Sequence, residues 1–489
     1  MVDVYVIGQG PVELAAALEF AEVGLSVRLG RVATAAPQSD GALPEREGTD
    51  WTDEAVAGFS PGEVTDPDGA LREFLEHVAS PLSTGGASLD AARSVVVPPV
   101  PSLLRGADRT WTMQPTPSVF GIPAVPLSQA SLSVLGKRGA ARAFLDRVRP
   151  VLTIGKTRSL GTLVRSRIGA TALDRLVDPF VRAKYGVGAE SVDVAIAAPG
   201  LNEDVTTTGS LCGAALAYAE RHVARETRVH PAGGWRSLQG ALVKRLELYG
   251  VEVASEPVSG VSRVIDAAGG EGGEEREWLI AETGTEIPAS AVVFGDRGVD
   301  LPGAPDEVAS LGPRMVRWMA ELAVTAPDFA QQGAARDAAG EAGARAAVEV
   351  VAAANGDRWC AAWERDSASA PEWRLRVSGP AFARDRVAES SAARSHVRST
   401  LDGLLRDLLG AAGARPAADP AIDLRLVPAP FATVAARDEA LGHTTSPGAG
   451  ESTCIRVGPE VHSGDLAAAI CDAREKSAHV RRRLTGIAE

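Results

Sequence analysis

The chain opens with Val2-Asp-Val-Tyr-Val-Ile-Gly-Gln-Gly-Pro-Val-Glu-Leu-Ala-Ala-Ala-Leu18: a short apolar run, two closely spaced glycines, then a helix-forming stretch. Asp3 to Ile7 predicts a buried parallel strand, and Val12 to Val23 predicts a helix closed by Gly24. Ser26 to Leu29 predicts a second strand, completing a βαβ unit of roughly 30 residues. In a turn of this kind Gly8 makes the tight bend, and Gly10 lets a diphosphate approach the backbone at the helix N-terminus. Pro11 suits the first helical turn. The third position ordinarily needs glycine for close helix–strand packing, and here it is Glu13. A carboxylate there adds bulk at a packed contact and competes with phosphate for the field of the helix. The opening therefore specifies a dinucleotide-type fold and leaves open whether a dinucleotide is still bound.

At 489 residues the chain is long enough for two or three domains, and its 45% hydrophobic and 23% charged residues are ordinary for a globular protein. A net charge of −13 argues against nucleic acid as a partner and limits any membrane contact to a peripheral, apolar one. The sequence contains no apolar run long enough to span a bilayer, and its N-terminus reads as a strand, so the expected location is the cytoplasm. Cys212, Cys360, Cys454 and Cys471 are widely spaced and read as packed, inert thiols. The seven histidines show no metal-binding spacing, and no metal site is expected.

Along the chain, residues 31–70 read as a loop, and 127–225 as a helical block punctuated by Pro179 and Gly186. In His230-Pro-Ala-Gly-Gly-Trp-Arg-Ser-Leu238 the paired glycines Gly233 and Gly234 make a turn. It leads into a helix over 237–249 and a strand, Val251 to Ala254. Val261 to Ile265, Glu277 to Ala281 and Ala291 to Phe294 predict a meander. Ala347 to Val351, an Asn355-Gly356 turn, Trp359 to Trp363 and Trp373 to Val377 predict further antiparallel strands. Residues 329–345 read as helical or mobile, and Val387 to Leu409 as a helix. The tail predicts a strand, Thr453 to Val457, then Gly458 and a helix from Leu466 to Leu484, its Arg481-Arg482-Arg483 complementing the helix dipole.

This order of pieces resembles the porphyrinogen oxidases (protoporphyrinogen and coproporphyrinogen III oxidases) of the flavin amine-oxidase superfamily. The resemblance runs over nearly the whole chain, best at Gly121-Ile-Pro123, Ser159 to Val181, Gly209-Ser-Leu211, Pro231 to Leu242 and Val457 to Ala478. It implies an α/β fold: a Rossmann-like FAD/NAD(P)-binding domain over 1–60, 228–300 and 420–489, an inserted α-helical domain over 90–227, and a mixed-sheet substrate domain over 301–419. It also implies FAD as cofactor, with Gly8, Gly10, Glu13, Gly30, Arg31, Gly233, Gly234, Val253 and Gly458 at the cofactor positions. Arg182 and Lys184 are the implied partners of a substrate propionate. The implied reaction is oxidation of a porphyrinogen to the porphyrin with O₂ in haem biosynthesis, the flavin accepting hydride.

Four departures open a second reading. Glu13 is the first. The family's ribose-holding acid at the end of the second strand is read here at Gly30, followed by Arg31. Ala33 and Thr34 stand near the expected paired glycines, and Pro459 after Gly458 lacks an N–H. The first reading is therefore the FAD-dependent oxidase. The alternative is a non-catalytic homologue that has lost tight FAD binding and serves as a binding or scaffold protein, for a porphyrin or a haem-pathway protein. A lesser alternative is another flavoprotein of the amine-oxidase superfamily, disfavoured by the 4% aromatic content.

Overall fold

The computed structural model describes residues 2–32, 64–81, 88–97, 101–150, 157–222, 227–264, 278–296, 298–309, 311, 314–331, 346–365, 373–384, 391–417, 422–441 and 453–486. Ala33 and Thr34 lie outside these residues, as does most of the 329–345 segment. The chain divides into two compact units, one of residues 1–98, 224–313 and 439–489, the other of 99–223 and 314–438.

The first unit is built on a seven-stranded sheet. Its strands are β1 (Val2–Ile7), β2 (Val27–Gly30), β3 (Glu252–Val253), β4 (Val258–Arg263), β5 (Trp278–Glu282), β6 (Thr285–Phe294) and β7 (Cys454–Arg456). The order is β3-β2-β1-β6-β5-β4, with β7 also on β6. β3, β2, β1, β6 and β7 run parallel, whereas β4, β5 and the first half of β6 form an antiparallel meander. β6 serves both, because its 10 residues pair with β5 early and with β1 and β7 late.

The helices of this unit are α1 (Pro11–Ala21), α2 (Ala70–Ala79), α3 (Gly234–Leu248) and α4 (Leu466–Leu484). Alternation along β1 explains the two cores. Val4 and Val6 pack with Leu29, Val293 and Ile455 against the helices, while Tyr5 and Ile7 pack against Val258, Trp278, Ile280 and Phe294 of the meander side. A strand covered on both faces must be apolar throughout, which is why β1 reads as a continuous hydrophobic run. Glu19 of α1 ties the last helix in place through Arg474 at 2.7 Å and Arg481 at 2.8 Å.

The second unit holds an eight-stranded sheet. The Asn355-Gly356 turn joins strands Ala346–Ala352 and Arg358–Glu364, with Gly356 at φ +86°. Helix Ser391–Ala412 covers one face through Leu401, Leu404, Leu405 and Leu408, packed with the buried Trp363 and Trp373. Val348 and Cys360 join the core of the helical segment instead. The short strands Leu103–Arg105 and Trp111–Met113 complete the same sheet. Most of the residues expected as two domains, 90–227 and 301–419, thus belong to one compact unit. Of the four cysteines, Cys212 and Cys360 are buried as expected, but Cys471 is exposed.

Candidate functional site

Parallel strands bring their C-terminal ends to one edge of a sheet, and the loops that follow them build its binding crevice. Backbone hydrogen bonds carry the ladder just past the strand ends here. Gly8 donates to the Gly30 carbonyl at 2.9 Å, Gly295 to Ile7 at 2.8 Å, and Val457 to Phe294 at 2.8 Å. The loops after β1, β2, β6 and β7 are therefore held side by side, although most lie far apart in sequence.

Glu13 is buried at this edge, only 8% exposed. Its side chain folds back over the glycine turn. A Cβ on Gly8 would lie 2.7 Å from Glu13 Cγ, and one on Gly10 would lie 2.6 Å from its Oε2. A Cβ on Gly295 would meet Oε1 closer still. The three glycines thus leave the room that the carboxylate fills. Burial pushes the Glu13 carboxyl above its usual range, while hydrogen bonding from the backbone amides of Glu13, Asp296 and Gly10 favours the charged form. With Gly10 as N-cap and no side-chain cap, Glu13 stands at the third helical position, where an acid can reach back to the N-cap amide.

A second carboxylate lies beside it. Asp296 fills the side-chain space of Gly458, whose φ is +140°, and accepts from the Glu460 amide at 3.1 Å. Burial raises the Asp296 carboxyl well above its usual range, and the charges of Glu460 and Glu13 raise it further. Arg456, itself buried, approaches Asp296 at 3.8 Å and Glu460 at 3.9 Å and donates to the Val308 carbonyl at 2.9 Å. Pro459 offers no N–H, and the next amide is already engaged by Asp296.

Gly30 faces the packed side of the sheet and not the crevice. A side chain there would strike Tyr5 Oη and lie 2.7 Å from Val258 Cγ2, inside the packed face of the sheet. The pairing of Ile7 with Gly30 sets this parity, since both then face the meander. The exposed residue after β2 is Arg31, a cation at the strand's end. Gly233 and Gly234 open α3 as expected, Gly234 at φ +78°, and Val253 is exposed on the edge strand. Sequence reasoning missed Gln239. This residue of α3 is 1% exposed, and its Nε2 donates to the Gln9 carbonyl at 2.7 Å, bracing the turn from behind. A polar residue on the buried stripe of a helix was its one available signal.

The group that the sequence resemblance implies is FAD, and the residues as placed do not fit its diphosphate. The volume over Gly8 and Gly10 is filled by Glu13, and the amides beside it already serve a carboxylate. A diphosphate could enter only by displacing the Glu13 side chain from that volume. Among the described residues, no group of His, Cys, Asp and Glu is arranged to hold a metal. Arg182 and Lys184 lie in the second unit, on helix Asp178–Tyr185. Arg182 pairs with Asp178 at 2.6 Å, and Lys184 Nζ lies 5.4 Å from the Phe120 ring centre and 5.5 Å from that of Tyr185.

No family model matches the sequence, and no curated protein does. Solved structures do match in fold. A provisionally named protoporphyrinogen oxidase from Exiguobacterium sp. 255-15 is similar over 99% of this chain and 99% of its own, with 15% identity and a TM-score of 0.60. Cyclohexylamine oxidase from Brevibacterium oxydans IH-35A matches over 99% of both chains, with 15% identity and a TM-score of 0.50. An oxidoreductase from Methanosarcina mazei matches over 97% of this chain and 100% of its own, at 14% identity and a TM-score of 0.50. The fold is the one these solved structures share, a Rossmann-like sheet with additional domains.

Proposed function

We propose that this chain is a non-catalytic homologue of the porphyrinogen oxidases, one that keeps their fold and does not hold FAD. The observation that carries this reading is the Glu13 carboxylate lying in the glycine turn. Arg31, Asp296 and Pro459 support it, because each alters a different part of one cofactor's footprint. Its remaining role is binding, with a porphyrin or a haem-pathway protein as the partner. Among the described residues no helix is long and apolar enough to cross a membrane, and any membrane contact in this proposal is peripheral.

The second reading is an FAD-dependent oxidoreductase acting on coproporphyrinogen III or protoporphyrinogen IX. Its support is the end-to-end likeness to the Exiguobacterium protein. In that case Arg182, which pairs with Asp178 at 2.6 Å, and Lys184 are the candidate propionate partners.

Absorbance of the purified protein separates the two. The first reading expects a colourless protein that retains no FAD after incubation with a large excess and desalting. Visible flavin bands that persist after desalting would overturn the first. A Soret-band titration with protoporphyrin IX then tests the binding role, and no spectral change on addition would remove porphyrin as the partner.

A further inference from the structure

Glu13 does more than cap a helix. An N-terminal capping contact needs only the Gly10 amide, yet this carboxylate also lies against Gly8 and Gly295. It therefore bridges the loop after β1 to the loop after β6. Asp296 repeats the device one strand further on, lying against Gly458 and accepting from the Glu460 amide. Three loops that a bound dinucleotide would ordinarily hold together are here joined by two of the chain's own carboxylates.

We infer that Glu13 is a built-in ligand of its own dinucleotide turn, taking the place of a diphosphate and closing the crevice without a nucleotide. The amides that recognise it are the type that recognise phosphate, and the glycines that admit it are those that admit a diphosphate. Shortening this one side chain consequently exposes an anion site of the diphosphate class. The inference rests on the reading of the protein as FAD-free, and it adds the cause.

The test compares wild type with Glu13→Ala, Glu13→Gln and Glu13→Ala/Asp296→Asn, using ADP and inorganic pyrophosphate as probes in calorimetric titrations. Alanine at this position keeps a good helix former and matches the alternative the fingerprint tolerates. The expected result is at least tenfold tighter binding of ADP to Glu13→Ala than to wild type, with a further gain in the double variant. Glu13→Gln, which still fills the turn, gains nothing. Hydrogen exchange is the second readout. Amides of Gly10, Glu13 and Asp296 exchange at least tenfold faster in Glu13→Ala and are protected again by pyrophosphate. Unchanged exchange, or ADP binding no tighter than wild type in a folded Glu13→Ala, overturns the inference. A colourless wild type with that outcome leaves the preceding reading standing, whereas a wild type that retains FAD overturns both.

Discussion

Buried acids are handled in two ways in this chain. Asp146, in the second unit, is fully buried and faces Arg167 at 2.5 Å, while the Leu211 and Cys212 amides donate to its other oxygen. Arg167 is held in turn by the carbonyls of Pro150 at 3.0 Å and Gly209 at 2.9 Å. Glu13 is nearly as buried but forms no ion pair among the described residues. It relies on backbone amides at the edge of a parallel sheet. The first arrangement neutralises a charge inside the fold. The second is the environment of an anion-binding turn, with the anion supplied by the chain itself.

The difference is broken most severely at Asp146. Asp146→Ala leaves Arg167 buried without its counter-ion and strips the amides that open helix Leu211–His222. Breaking a buried pair from one side costs ~3–5 kcal/mol, and urea unfolding should show a loss of that size. A loss below ~1 kcal/mol would mean that the two acids are not handled differently. Glu13→Ala should cost far less, within about 1 kcal/mol, because the amides it uncovers lie at a crevice that water can enter.

Gln239→Leu comes next. It removes the donor to the Gln9 carbonyl and leaves a buried acceptor behind the turn, a loss of about 1–2 kcal/mol. The same variant should speed amide exchange around Gly8 and Gly10. If the exchange of these residues is untouched, Gln239 is not a brace of the turn.

How much of this was legible beforehand follows from what is local. The βαβ opening, the hairpin at Asn355-Gly356 and the closing helix Leu466–Leu484 all rest on short-range periodicity and turn chemistry, and they stand where expected. Glu13 was legible as a departure. Its place over Gly295 was not, because no local pattern says which distant loop a curled side chain will meet. The direction in which Gly30 faces was hidden for a related reason. Whether the last residue of a strand faces the crevice or the core depends on register, and the Ile7–Gly30 pairing is a long-range fact. Arg31, one residue later, shows how a single step of parity moves a site position.

The finest distinction is in pH, between two acids of the first unit. Glu282 pairs with Arg28 at 2.7 Å and accepts from Tyr5 at 2.7 Å; these contacts, led by the Arg28 hydrogen bond, hold its carboxyl below the usual range. A lowered carboxyl contributes stability that is present above the unfolded value of about 4.3 and is lost as pH falls through the folded value. Glu13 is raised by burial, so the folded state binds its proton more tightly than the unfolded chain does. Its contribution is present below the unfolded value and fades as pH rises through the folded one. The stability of wild type relative to Glu13→Gln should therefore fall as pH rises above the unfolded value of about 4.3, with a slope no steeper than ~1.4 kcal/mol per pH unit. Relative to Glu282→Gln the stability should instead rise with pH below about 4.3 and be level above it. Slopes of the same sign would show that hydrogen bonding to the Glu13 carboxylate outweighs its burial, as the Arg28 contact does for Glu282.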